Sequence, residues 1–186
     1  MNDHGSLIYR TDLEARIIFL DANWPQPNSE NGTANGDLSE VIGTTIWSHI
    51  SDSKTIEIFD SVLKAVAEKN VKFTFPFRCD SEDSRRFMEL SISYRENEYF
   101  EYCSKVLRAE ERQFQRLMSL DVRRNEVFLV SCAWCNRFLL PDNQWGEIER
   151  VVKELDLFMA DTYPQITHGI CPRCEAEVLR GLDAIK

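Results

Sequence analysis

Four of the six cysteines in the chain stand in two Cys-x-x-Cys pairs, and these side chains have the types and the spacing best suited to chemistry. The pairs are Cys132 with Cys135 and Cys171 with Cys174. A two-residue spacer bends the backbone so that both sulfurs of a pair reach one ion, and two such pairs complete the tetrahedral thiolate site that Zn²⁺ prefers. The sequence therefore predicts a structural zinc site made by these four cysteines.

His168 and the chemistry of free thiols leave two alternatives open at this site. His168 lies three residues before Cys171, where it is an alternative ligand, a hydrogen-bond donor to a sulfur or an ordinary turn residue. The second alternative treats the pairs as reactive dithiols of a redox sensor or oxidoreductase, although the βαβ pattern of thioredoxin-like proteins is missing around them. Cys79 and Cys103 stand alone, and we interpret them as small buried or half-buried side chains.

No group of residues in the sequence has the pattern of a known catalytic site. The chain holds three histidines, and His49 is interpreted as a surface or hydrogen-bonded residue. A glycine-rich phosphate loop, a His-Glu-x-x-His zinc motif and a nucleophile elbow are all missing from the sequence. We therefore expect a protein that is not an enzyme.

The composition is that of a globular protein with a sizeable core. Of the 186 residues, 43% are hydrophobic and 28% are charged, and the formal net charge is −9. No apolar stretch approaches the roughly 18 residues that span a bilayer, and the first residues lack the pattern of a secretory signal. The negative charge argues against a nucleic-acid or anionic-membrane partner. These features predict a cytoplasmic protein whose thiols stay reduced.

The first 110 residues have the pattern of an antiparallel sheet with helices on one face, which is an α+β fold. Two short strands are followed by short helices or turns at residues 41–50. A longer amphipathic helix then begins with Ser53 as its N-cap and ends at Asn70. Three strands with alternating apolar residues and short turns follow as a meander. The predicted strands are Leu7–Thr11, Ile17–Leu20 and residues 71–79, 86–94 and 100–106.

Several short motifs in this segment resemble those of PAS domains, over about residues 5–110. They are Asp-Ala-Asn-Trp at residues 21–24, Val-Ile-Gly-Thr-Thr-Ile-Trp at residues 41–47, and Phe-Pro-Phe-Arg-Cys-Asp and Arg-Arg-Phe-Met-Glu-Leu at residues 75–80 and 85–90. The resemblance implies a domain that senses a small ligand, whose identity the sequence does not specify, or that forms a homodimer. The residues expected to line a pocket are Asn23, Trp47, Phe59, Phe75, Phe77, Arg78 and Met88. The same aromatic stripe also fits an ordinary core or a subunit interface.

The remaining residues are expected to form a helical linker and a second module. Residues 109–125 place apolar side chains on one side among several arginines, which predicts a helix that either pairs with a partner subunit or packs on its own domain. Further on we expect a helix at residues 145–157, with Asn143 as its N-cap, and another at residues 175–182. A cysteine knuckle followed by a second pair at a helix start resembles a treble-clef arrangement in a small zinc-binding α/β module.

Two longer motifs in this second segment resemble a C-terminal module of bacterial signalling proteins. They are Cys-Ala-Trp-Cys-Asn-Arg at residues 132–137 and Thr-His-Gly-Ile-Cys-Pro-Arg-Cys at residues 167–174. Residues 126–186 carry 6 basic and 10 acidic side chains, which favours a protein partner over DNA. The resemblances imply a non-catalytic cytoplasmic signalling protein. Its expected parts are a sensor or dimerisation domain (1–110), a linker helix (111–125) and a zinc module (126–186) for contact with a signalling partner.

Overall fold

The computed structural model describes residues 6–21, 38–95 and 98–185 of the chain. It is a mixed α+β structure, as the sequence predicts. In chain order the elements are β1 (Leu7–Thr11), β2 (Ile17–Leu20), α1 (Leu38–Val41), a 3₁₀ turn (Ile46–His49), α2 (Ser53–Lys69), β3 (Phe73–Arg78), β4 (Ser84–Arg95), β5 (Tyr99–Glu111), a second 3₁₀ turn (Arg116–Met118), β6 (Arg124–Cys132), β7 (Phe138–Leu139), β8 (Trp145–Gly146), α3 (Ile148–Glu154), β9 (Tyr163–Gly169) and α4 (Pro172–Ala184).

The first sheet is antiparallel and has the strand order β2-β1-β5-β4-β3. The predicted meander is confirmed, because β3 pairs with β4 and β4 pairs with β5. Phe73 lies opposite Ile92 and Phe75 lies opposite Leu90, so alternate residues of neighbouring strands share one apolar face. Helices α2 and α4 pack their buried side chains into the same core as this face.

Helix α2 has the cap and the stop that its sequence favours. Asp52 is the N-cap, one residue before the predicted Ser53, because the Asp52 carboxylate accepts a hydrogen bond of 2.7 Å from the backbone N–H of Thr55. Asn70 ends the helix in the left-handed conformation with φ of 49°, as predicted. Val62 and Val66 are fully buried on the face that meets the sheet.

The helix predicted over residues 109–125 is wrong. β5 continues to Glu111, paired with the start of β4, and the chain then turns through the short Arg116–Met118 segment into β6. Leu117 is fully buried, whereas Phe114 and Leu120 are 58% and 65% exposed, so the expected apolar helix face does not exist. The long strand pairing overrides the helical spacing of these residues.

The second sheet has the order β8-β7-β6-β9 and contains a parallel pair, β6 with β9, which the sequence reading missed. The helix predicted at residues 145–157 is shorter, because Trp145 pairs with Leu139 in a small hairpin and α3 begins only at Ile148. Asn143 is not its N-cap. It lies in the hairpin turn with φ of 60°.

The buried residues form two cores. The first core joins the first sheet and α2 to the two cysteine pairs and α4, and the second core lies between β6, β7, α3 and the segment around Leu117. The domain boundaries expected near residues 110 and 126 therefore do not separate the two cores, because residues of the C-terminal segment (126–186) lie in the first core. In the part of the chain that the structure describes, no helix has the length and apolarity needed to cross a membrane.

Candidate metal centre

The two cysteine pairs meet in one place, which we call the cysteine cluster (Cys132, Cys135, Cys171 and Cys174). The four sulfur atoms all lie within 4.8 Å of one another. Cys135 Sγ and Cys171 Sγ, which belong to different pairs, are 3.7 Å apart. Four thiolates about 2.3 Å from a central zinc ion would lie about 3.8 Å from each other, whereas a disulfide needs about 2.05 Å. The donor set and the spacing therefore fit one tetrahedral Zn²⁺.

A tight turn at residues 132–137, the knuckle, presents the first pair. Cys132 ends β6, and its backbone N–H donates to the carbonyl of Arg137 at 2.7 Å. The backbone N–H of Asn136 donates in turn to the carbonyl of Cys132 at 2.9 Å. Asn136 has φ of 56°, a left-handed conformation that asparagine tolerates better than most residues. The Ser131 hydroxyl donates to the Asn136 side chain and supports that turn.

The start of α4 presents the second pair. Cys171 is the N-cap of the helix, Pro172 fills the first turn, and the Cys171 sulfur accepts a hydrogen bond from the N–H of Cys174. The N–H of Cys171 donates in turn to the sulfur of Cys132 at 3.4 Å. Backbone N–H groups and the positive end of the helix dipole both stabilise thiolate charge here.

The thiols share their protons unequally. Hydrogen bonds from Cys135 and Cys174 lower the pKa of Cys132 to about 2. The same interaction with Cys132 raises the pKa of Cys135 to about 12 and also raises the pKa of Cys174. Because thiol ligands must be deprotonated, a dication that binds the four sulfurs would release the protons that they still hold.

A buried group of ion pairs lies beside the cluster and connects the two cores. The guanidinium groups of Arg78 and Arg112 both contact the carboxylate of Asp80, whose side chain is only 1% exposed. Arg78 also donates to both oxygens of Glu147 at 2.9 Å, and Arg137 of the knuckle donates to the same carboxylate at 3.1 Å. Strand β3 is thereby joined to the knuckle and to the start of α3.

A cavity of about 300 Å³, the aromatic cavity, lies between the first sheet, α2 and the knuckle. Its lining residues are His49, Ile50, Thr55, Phe59, Phe75, Phe77, Leu90, Ala133, Trp134 and His168. A larger cleft of about 430 Å³, the α4 cleft, lies against α4, and Trp134, Cys135 and Cys174 line it.

The predicted pocket residues divide between these two spaces. Phe59 lines the aromatic cavity, Phe75 and Phe77 line both spaces, and Arg78 and Met88 line the α4 cleft and not the aromatic cavity. Trp47 is half-buried against the first core and lines neither. Asn23 lies outside the described residues.

The structure separates the other candidate residues from the cysteine cluster. Among the residues that the structure describes, the cluster contains the four cysteines and not His168, which is exposed on β9 and lines the aromatic cavity. Cys79 is exposed and Cys103 is half-buried. The expectation of a buried or half-buried side chain is therefore wrong for Cys79, which follows the end of β3.

Sequence reasoning missed Trp134, Arg112 and Glu147. Trp134 lies inside the knuckle, and its position between two cysteines was the available signal that its ring is held next to the metal site. Arg112 and Glu147 approach Arg78 only because three distant segments meet in the fold. Their charges alone are indistinguishable from surface charges in the sequence.

Comparison with known proteins finds no family model that matches the chain and no significantly similar curated protein.

Proposed function

We propose that this is a non-catalytic signalling protein in which a structural zinc ion fastens the C-terminal segment to a sensor sheet. The observation that carries the proposal is the cysteine cluster, with four sulfurs within 4.8 Å of one another, two of them at a helix start. All four side chains are buried or half-buried. A closed four-sulfur site of this kind leaves no open position for a substrate, so its zinc is structural.

The sensor part of the proposal concerns the first sheet. The order of two strands, short helical segments, one longer helix and three strands agrees with the order that the PAS resemblance implies. The aromatic cavity supplies a space for a small ligand, and the net charge of −9 favours protein contact over nucleic acid. We propose that the protein acts in the cytoplasm as a homodimer and passes its signal to a protein partner.

The test is the metal content of the full chain, purified without added metal and without chelator. We expect about one zinc ion per chain, and we expect chelation to unfold the protein, because zinc bound only to the folded state adds its binding energy to folding. Cys79→Ser and Cys103→Ser are matched controls and should retain the metal. A chain that is folded, free of zinc and unaffected by chelator would refute the proposal.

The alternative is a thiol redox sensor or oxidoreductase, and one observation favours it. Cys135 is half-buried and lines the α4 cleft, so a small reagent can reach its sulfur. The two functions differ in how fast the thiols react. Slow alkylation of all four cysteines in the zinc-loaded chain supports the structural site, whereas fast and reversible oxidation of the metal-free chain supports the alternative.

A further inference from the structure

The four cysteines of the cluster differ in how easily a molecule in solution reaches them. Cys132, Cys171 and Cys174 are at most 5% exposed, whereas Cys135 is half-buried. Cys135 lines the α4 cleft and also a second space of about 300 Å³, the arginine cleft, which is bordered by Arg78, Arg85, Arg137 and Arg173. Cys132 and Cys171 line neither cleft. A small molecule that enters from solvent therefore meets Cys135 first.

Arg173 is the most exposed of these four arginines and lines both clefts. Its Nε donates to Glu177 at 2.9 Å, and its two terminal nitrogens have no acceptor among the residues that the structure describes. The pKa of Arg173 is raised by the bond to Glu177 and then by the charges of Cys174 and Cys135, so the guanidinium lies within electrostatic reach of both sulfurs. Its terminal nitrogens can therefore donate to a small molecule beside Cys135.

A metal-bound thiolate beside guanidinium groups has the parts that reaction with a peroxide requires. Sulfur bound to a metal ion has lost its proton, and the thiolate is the form of cysteine that attacks an oxidant. The attack breaks the O–O bond of hydrogen peroxide and places negative charge on the departing hydroxide. Donors that are already in position stabilise charge of this kind as it develops in the transition state.

We propose that Cys135 is a peroxide-reactive residue, that Arg173 stabilises the departing hydroxide, and that the oxidation releases the zinc ion. The inference rests on the structural zinc of the proposed function and adds a reaction that removes it. It differs from the redox alternative, in which the cysteine pairs hold no metal.

The reaction has two steps that together consume one molecule of hydrogen peroxide. The Cys135 thiolate attacks one oxygen and becomes a sulfenic acid, and the departing hydroxide takes up a proton to form water. A second thiolate of the cluster, within 4.8 Å, then attacks the sulfenic sulfur and forms a disulfide, and the hydroxide that leaves takes up a proton to form a second water. Two electrons pass from the two sulfurs to the peroxide, and the zinc ion loses two of its four ligands.

Loss of the ion acts on helix α4. Cys171 is the N-cap of this helix and Cys174 lies in its first turn, while Val178 and Leu182 are buried in the first core. Oxidation at Cys135 thus removes the connection between the knuckle and the start of α4.

The first experiment follows zinc release from the zinc-loaded full chain carrying Cys79→Ser and Cys103→Ser, so that the only cysteines are those of the cluster. Hydrogen peroxide is added in the presence of a colorimetric zinc chelator, and a sample without peroxide gives the background rate. We expect peroxide to release the ion, and we expect Arg173→Gln to slow the release about fivefold, the factor of one hydrogen bond of average strength. Arg180→Gln is the matched control, because Arg180 is also exposed on α4 but lines neither cleft. It should leave the rate unchanged.

The second experiment identifies the sulfur that reacts first. Dimedone, which traps sulfenic acids, is present while less than one equivalent of peroxide is added, and mass spectrometry locates the label. We expect the label on Cys135 and, when dimedone is left out, a disulfide that contains Cys135. A label mainly on another cysteine, zinc release at the background rate, or equal rates in Arg173→Gln and Arg180→Gln would overturn the inference.

Zinc is measured in every sample before peroxide is added. If the chain holds one zinc ion and peroxide does not release it, the inference on Cys135 fails while the metal site of the proposed function stands. If the chain holds no zinc, the proposed function itself fails.

Discussion

The two cores of the molecule differ in how they are held together. The second core consists of neighbouring parts of the chain, from Leu117 to Ile166, and is filled by aliphatic side chains such as Val151 and Leu140. The first core brings together segments from both ends of the sequence, from Ala15 to Leu182, and three of the four cysteines of the cluster are among its buried members. Joining distant segments costs more chain entropy than joining near ones. A metal clamp is therefore most useful in the first core.

Ion pairs lie between the two cores. Arg78 of β3 reaches the half-buried Glu147 at the start of α3, so this ion pair bridges from the first core to the second. Removing one partner of a buried ion pair costs more stability than the intact pair adds. The metal centre and the ion pairs thus have separate effects, and variants of each should separate them.

Loss of one metal ligand should have the largest effect and should act on the first core. We expect Cys132→Ser to abolish stoichiometric zinc binding and, like chelation, to leave the chain without a cooperative thermal transition. Structural zinc sites contribute on the order of 10 kcal/mol to folding, which is as much as the about 5–15 kcal/mol that stabilises a typical domain. Differential scanning calorimetry with metal analysis measures both quantities.

The matched control for this variant is Cys79→Ser, which changes an exposed cysteine outside the cluster. Its Tm and zinc content should equal those of the wild-type chain. Similar losses in both variants would show that the cluster has no special place in the first core.

The second-largest effect should come from loss of the buried carboxylate beside Arg78. Asp80→Ala leaves the guanidinium groups of Arg78 and Arg112 without the buried carboxylate that both contact, and we expect a loss of about 3–5 kcal/mol in urea unfolding. Asp142→Ala removes an exposed partner of Arg150 and should cost at most about 1 kcal/mol. Equal effects of the two variants would show that the buried carboxylate contributes no more to stability than a surface ion pair does.

Two valine-to-alanine variants, one in each core, compare how loss of core packing affects zinc binding. Val178 on α4 is 4% exposed in the first core, and Val151 on α3 is 0% exposed in the second. Each change to alanine should cost about 2 kcal/mol through lost apolar contacts and a small cavity. Only Val178→Ala should also speed zinc release to a chelator, by about tenfold, because α4 presents Cys171 and Cys174.

One result would contradict the assignment of the cysteine cluster to the first core. If Val151→Ala releases zinc as fast as Val178→Ala at equal stability, the cluster belongs to both cores alike.

The smallest effect is a pH dependence at the bridge. Burial opposes the charge of Glu147, but hydrogen bonds from Arg78 and Arg137 outweigh burial and lower the pKa of its carboxyl below the ordinary 4.5. Such a carboxylate stabilises the fold above its unfolded pKa, and the contribution is lost as pH falls through the lower folded pKa. The stability difference between the wild type and Glu147→Gln should therefore shrink below about pH 4.5. Urea unfolding of both chains at several pH values measures it, and a constant difference would contradict the bridge.

The sequence predicted those features that depend on local pattern. Alternating residues such as Phe73 and Phe75 identified the strands, Asn70 identified a helix end, and the cysteine spacing identified the four residues that meet in the cysteine cluster. The predicted linker helix failed because pairing of β5 with β4 outweighs helical spacing at residues 109–111. The parallel β6–β9 pair was missed because both strands acquire their partners only through the crossover at α3.

The site was predictable in its ligands and not in its surroundings. Two Cys-x-x-Cys pairs are recognisable from spacing alone, since each pair is a local turn. Trp134, Arg112 and Glu147 become part of the site only when the first sheet, the knuckle and α3 come together. Such contacts between distant segments leave no periodic trace in one sequence.

The central claim is that four cysteines from the two ends of the C-terminal segment hold one zinc ion. X-ray absorption at the zinc edge of the full chain tests it most directly. The claim predicts four sulfur neighbours at about 2.3 Å and no nitrogen neighbour. Three sulfurs with one nitrogen would contradict ligation by all four cysteines. A zinc ion bound mainly by oxygen or nitrogen would contradict the claim outright.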